Sequence, residues 1–252
     1  LDDELPELTH SLMHLLWPNY MRPMPAFSIL QFDPLKHSGA GVWVARDTPI
    51  ESVAINAERC RFRTCYATQI LPLHLSALEF SAQAGRSMLS LRLEISAEGH
   101  LGECLFDSLR LHLAGDRYIS QALYLSLLRH LGGIELLPFG RDGLPVSGAD
   151  GQALSLRLGG DQVQPVGFSD EQALIPYPPN TFPGYRHLQE YFAFPDKYLF
   201  VDVKGLGVLR GLPDELLKQV HGVVVRFELD NPWREPQQPT LDNVKLYLSL
   251  IH

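Results

Sequence analysis

The 252-residue chain has only three cysteines, Cys60, Cys65 and Cys104. So sparse and odd a set cannot make the disulfide framework of a small secreted scaffold, and a reducing cytosol is the expected compartment. Positive charge is not in excess either. With 21 Lys and Arg against 29 Asp and Glu, the formal net charge is −8, which excludes a general phosphate-neutralising surface and removes nucleic acid as a main partner. No run approaches the roughly 18 apolar residues of a membrane span, so no direct membrane insertion is expected. The first residues, Leu-Asp-Asp-Glu, are acidic where a signal peptide would be basic. The strings of the commonest motif-borne enzymes are also missing: there is no H-E-x-x-H, G-x-S-x-G, P-loop or EF-hand loop. What remains is a folded composition, 45% hydrophobic and 20% charged, with 20 Gly and 19 Pro. That many turn formers point to short strands.

Apolar residues at helical spacing (Leu5, Leu8, Leu12, Met13, Leu15, Leu16) predict an amphipathic helix from Pro6 to about Tyr20, ended by Pro18. Short strands follow over 27–32, 41–45, 60–68, 73–83 and 87–95, the last alternating Leu89, Leu91, Leu93 and Ile95 against Ser90, Arg92 and Glu94. A strand over 108–113 leads to a helix over about 119–131, which Gly132 and Gly133 are expected to cap. Asp142-Gly143 and the stretch 146–151 are the richest loop signals and mark an expected domain boundary. Beyond it, strands are expected over 153–158, 162–168, 198–203 and 220–229, a capping box at Ser169–Gln172, and a helix over 185–191. The pattern predicts an α+β, predominantly β chain. The N-terminal helix occupies 1–22, a sandwich-like region with one helix 23–145, and a second β-rich region 146–252. The apolar run 246–251 reads as an element cut off near its partner segment.

Three constellations carry possible chemistry. Gly205, Gly207 and Gly211 follow a strand and precede Pro213-Asp-Glu-Leu-Leu, with Glu228 near the end of the next strand, an order like that of a dinucleotide fingerprint. The spacing is G-x-G-x-x-x-G, however, and too little chain follows for further βα units, so a nucleotide-binding enzyme on this loop is the alternative reading and turn glycines the default. Glu7, His10 and His14 share one face of the first helix, opposite the leucines. A solvated or partner-facing polar face is the default there, a metal site the alternative. Cys60 and Cys65 are an odd number of residues apart, which in a strand puts them on opposite faces and prevents their sharing a metal. The densest feature is aromatic: Phe182, Tyr185, Tyr191, Phe192, Phe194, Tyr198 and Phe200 place 7 of 24 aromatic residues within 19 positions. Rings in such number form either a local core wedge or a protein interface. On the interface reading Tyr185, Tyr191, Phe192 and Phe194 are the contact candidates, with Leu8 and Leu12 of the helical stripe.

Longer strings carry a resemblance. Met21-Arg-Pro-Met-Pro-Ala-Phe-Ser-Ile-Leu-Gln-Phe32, Cys60-Arg-Phe-Arg-Thr-Cys-Tyr66 with Leu71-Pro-Leu73, Gly167-Phe-Ser-Asp-Glu-Gln-Ala-Leu174, and Phe182-Pro-Gly-Tyr-Arg-His-Leu-Gln-Glu-Tyr-Phe-Ala-Phe-Pro-Asp-Lys-Tyr-Leu-Phe200 closely resemble the TssF (ImpG, VasA) family, in one order from about residue 5 to residue 230. The resemblance implies a structural subunit of the type VI secretion baseplate, similar to a phage baseplate wedge protein, with no catalytic activity and no cofactor. It implies a wedge shared with TssG, TssE, TssK and other TssF copies, beneath the sheath and around the VgrG hub. The implied location is the cytoplasm of a Gram-negative bacterium, docked at the inner-membrane complex. Family chains are about twice this length, which implies the N-terminal and middle portion of a larger subunit. No catalytic, cofactor or metal residue carries over.

Overall fold

The structure is a computed structural model that describes residues 6–18, 21–37, 39–54, 56–83, 85–95, 99–104, 106–148, 150–178 and 181–252. Its strands run β1 Ser28–Gln31, β2 Val42–Val44, β3 Pro49–Glu51, β4 Arg61–Arg63, β5 Thr68–Ile70, β6 Leu73–Gln83, β7 Arg86–Ile95 and β8 Leu109–Leu113, then β9 Leu131–Phe139, β10 Leu156–Gly159, β11 Val163–Pro165, β12 Phe200–Val203, β13 Gly222–Leu229, β14 Val244–Leu246 and β15 Leu248–Ile251. The helices are α1 Pro6–Leu16, α2 Arg117–Arg129, α3 Pro183–Ala193 and the single turn α4 Asp214–Leu217. Leu5 and Tyr20, at the ends of the expected first helix, lie outside the described residues.

Alternation becomes burial. In β7, Leu89, Leu91, Leu93 and Ile95 are buried and Ser90, Arg92 and Glu94 are half-exposed. Antiparallel β13 matches it, pairing Val223 with Leu93, Val225 with Leu91 and Phe227 with Leu89. One five-stranded sheet runs β10-β9-β13-β7-β6 and a four-stranded sheet β11-β12-β8-β14. Both contribute to a single core, together with Ile119, Leu123 and Leu127 of α2. Each such side chain withdrawn from water stabilises the fold by roughly 1.5–3 kcal/mol. Asp116 starts α2 by accepting hydrogen bonds from the amides of Tyr118 (2.9 Å) and Ile119 (3.3 Å).

Three expectations are corrected. The division at 145/146 is not a domain boundary, because β13 pairs with both β9 and β7 and β12 pairs with β8, so both sheets interleave strands from either side of it. Gly132 and Gly133 do not cap α2. The helix ends at His130, and the two glycines lie within β9, where Gly133 pairs with Glu228 and a Cβ on Gly132 would come within 2.5 Å of the Asp230 carboxylate. The 246–251 run is not one element but two strands. Tyr247, at φ 59°, divides it, sending β14 to β8 and β15 to β1. The left-handed backbone of a non-glycine residue is costly, and here the Tyr247 hydroxyl donates to the carbonyl of Leu73 at 2.7 Å.

His112 sits in the middle of β8, paired with Phe200 and Lys245 on its two neighbours, its ring 4.3 Å from that of Phe200. Burial lowers its pKa from 6.5 to about 4, partly opposed by the charge of Asp196. The unfolded chain therefore takes up a proton below pH 6.5 that the fold refuses until about pH 4. Stability is fully present above pH 6.5 and should fall by about 3 kcal/mol as the pH drops through that window. Urea titrations at stepped pH should show this slope, and His112→Phe should flatten it.

Candidate partner interface

Polar residues of the strings at 167–174 and 182–200 meet in one buried cluster. Gly167, at φ +105°, donates its amide to Gln172 Oε1 at 2.7 Å, and Ser169 and Gln172 close the capping box of a short 3-10 turn. Pro183 occupies the first turn of α3, where its missing N–H costs nothing. Arg186 and Glu190, four residues apart, then turn toward the body of the protein and are 4% and 0% exposed. Arg186 donates to the carbonyls of Phe168 (2.8 Å) and Ser169 (3.2 Å) and pairs with Asp170 at 3.1 Å. Glu190 accepts from the Leu174 amide at 2.8 Å through Oε1 and pairs through Oε2 with Lys197, itself 0% exposed. Burial pulls the Lys197 pKa down, and the Glu190 charge pushes it back up.

The outward side of α3 is the reverse of an ordinary surface helix. Tyr185, Leu188, Tyr191 and Phe192 are exposed, Phe192 at 81%, while the two charged residues lie inside. Surface helices normally bury the apolar stripe and expose the charge. α1 has the same character, burying none of its residues, with Leu8, Leu12, Leu15 and Leu16 exposed. The two helices meet at an open groove of about 730 Å³, lined by Met13, Trp17 and Met24 on one side and Tyr185, Leu188 and Phe192 on the other. Arg22 closes one end, donating to the carbonyl of Pro176 at 2.5 Å.

Of the sequence candidates, Tyr185 and Phe192 line this groove, and Tyr191 is exposed on the same helix. Leu8 and Leu12 are exposed on α1, while Met13 of the same helical pattern and Trp17, just after the helix and not singled out by it, are the residues that face α3. Phe194 belongs elsewhere. It turns inward, 6.1 Å from the ring of Phe27, against the smaller core around Phe200 and Leu250. Arg186, Glu190 and Lys197 were missed as a cluster. Their legible signal is the i, i+4 spacing of opposite charges on a helix otherwise rich in rings.

The other constellations fall apart. Gly205 takes a left-handed φ of 78° before a 3-10 turn over Leu206–Gly211, and α4 after it is one turn long. The flanking strands β12 and β13 are antiparallel to their neighbours and lie in different sheets, so the nucleotide-binding reading is overturned: the parallel βαβ unit that aims a helix at a pyrophosphate is not formed. Glu7, His10 and His14 are exposed on α1, and among the described residues no group of three His, Cys, Asp or Glu gathers to hold a metal ion. Cys60 is exposed and Cys65 buried, and burial pushes the Cys65 thiol up to about 12, which leaves it protonated and unreactive.

Removing one member of a buried pair leaves an uncompensated charge, at a cost of about 3–5 kcal/mol. Lys197→Met should therefore lower the melting temperature steeply. The double variant Lys197→Met with Glu190→Gln should recover part of the loss, which a double-mutant cycle of thermal or urea unfolding would measure.

Comparison with known proteins follows the same segments. Residues 1–249 match the family model for the type VI secretion system protein TssF. The chain is 29% identical over 260 residues to the type VI secretion system component TssF1 of Pseudomonas aeruginosa, an alignment covering 88% of this chain and 36% of that protein. In three dimensions it is similar to a chain in the structure of the type VI secretion system TssK-TssF-TssG baseplate subcomplex, with a TM-score of 0.78 and 28% identity over 99% of this chain and 45% of that one. The chain thus spans less than half the length of these relatives. With the family model matched over almost all of its length, the chain belongs to the TssF family of the type VI secretion system.

Proposed function

We propose that this chain is a structural, non-enzymatic part of a type VI secretion baseplate. Its work is to present the α1–α3 face to protein partners. The observation that carries this reading is α3 itself, which buries Arg186 and Glu190 and leaves Tyr185, Leu188 and Phe192 in water. Aromatic residues exposed in a cluster beside an apolar groove are the composition of an interface core, and they gain most when a partner covers them. TssG and TssK are the first partners in this proposal, since they accompany TssF in the solved baseplate subcomplex that this chain resembles. TssE, further TssF copies, the VgrG hub and the sheath follow from the family resemblance, as does assembly in the cytoplasm docked at the inner-membrane complex. Among the described residues no helix is long and apolar enough to cross a membrane.

Co-expression with the TssG and TssK proteins of the same bacterium tests the proposal. Phe192→Asp and Leu12→Asp should abolish co-purification while each changes unfolding free energy by no more than about 0.5 kcal/mol, as surface substitutions do. Phe194→Ala, half-buried against Phe27, should instead cost roughly 1–3 kcal/mol of stability. Undiminished co-purification of both aspartate variants would overturn the assignment of this face.

A further inference from the structure

A second concave site lies at the end of the five-stranded sheet, built by residues outside the α1–α3 face. The loop Gly140–Ser147, after β9, and the segment Lys218–His221, between α4 and β13, border an open depression of about 580 Å³ that Gly99 also lines. Its backbone is tied down on several sides. The His221 amide donates to Phe139 at 2.8 Å, the Gly140 amide to Leu144 at 2.9 Å, the Val146 amide to Pro138 at 3.0 Å and the Leu101 amide to Val220 at 2.9 Å. The walls are therefore set before any ligand arrives, which lowers the cost of binding.

Two cationic side chains line it in a chain of net charge −8. Arg141 and Lys218 both project from exposed positions, and neither forms an ion pair among the described residues; Arg141 makes only a long contact, 3.5 Å, with the Gly99 carbonyl. Between them His221 lines the pocket, with Nδ1 buried and without a hydrogen-bond partner, and Ser147 adds a hydroxyl. The one carboxylate in the lining, Asp142, accepts from the Leu144 amide at 3.0 Å and keeps its charge, so the lining carries one positive charge in excess. Two cations without ion-pair partners beside one cavity call for an anion. Leu144, Pro145 and Val146 supply apolar wall beside them, and the volume is several times that of a single small ion.

We propose that this pocket receives a short carboxylate-rich segment of a partner protein, with Arg141 and Lys218 as its counter-charges and the Ser147 hydroxyl as a polar contact. The segment's aliphatic stems would lie on Leu144 and Val146. This is an interaction surface distinct from the α1–α3 face, and it does not depend on the function proposed for that face.

Fluorescence anisotropy of a labelled tetra-glutamate peptide, titrated with the full chain at low ionic strength, tests it. The peptide should bind, weaken as salt screens the charges, and lose about tenfold or more in affinity with Arg141→Ala/Lys218→Ala. Arg59→Ala/Arg61→Ala, at exposed cations elsewhere, should leave the affinity unchanged, as should Phe192→Asp, which reports on the other face. Melting curves check that each variant is folded, and Lys218→Glu alone gives a second reading at an exposed position. No anisotropy change at millimolar protein, or equal affinity in the double variant, would sink the proposal. So would displacement of the peptide by inorganic phosphate at concentrations where chloride of matched ionic strength has no effect, because the pocket would then be a free-anion site.

Discussion

The buried ion pair between Glu190 and Lys197 is the contact on which the exposed apolar face of α3 depends. Taking two charges out of water costs several kcal/mol per ion, and only close pairing plus further hydrogen bonds offsets it. Here the Leu174 amide takes the second carboxylate oxygen. Gly167, at φ +105°, lets the chain pass Lys197 closely enough that a Cβ would lie 3.2 Å from its Cε. Arg186, one turn before Glu190, grips the carbonyls of Phe168 and Ser169. Helix, capping box and the approach to β12 are thereby locked to one another through Arg186, Glu190 and Lys197.

That lock explains why α3 can be inverted. A helix that holds on to its domain through buried charge does not need its apolar side for anchoring, and the rings of Tyr185 and Phe192, with Leu188 between them, are left for something else. Departures from the rule that charge faces water are expected where function requires them. The interleaved sheets beneath supply stiffness, because strands from both ends of the chain share ladders and one core.

Much of this was legible in residues. The alternation of β7, the Ser169–Gln172 capping box and the helical stretch at 185–191 follow from local pattern. The misreadings share a cause. Gly132-Gly133 looks the same as a helix cap or as a strand approached closely by Asp230, and Phe194 looks the same as Phe192, until the neighbours are known. The loop signals at 142–151 are real turns between β9 and β10 of a single sheet, since turn chemistry does not say whether the chain leaves a domain or returns to it.

The sequence by itself determined the α+β class, the lack of motif-borne chemistry and the family, because these rest on composition and on strings read in order. Only the tertiary structure decided that Arg186, Glu190 and Lys197 meet inside and that Met13 and Trp17 face α3 across a groove. It also paired β13 with β7 and β15 with β1. Those outcomes depend on which residues far apart in the chain become neighbours, and the energy of a buried charge or a β ladder is set by that neighbour and not by local spacing.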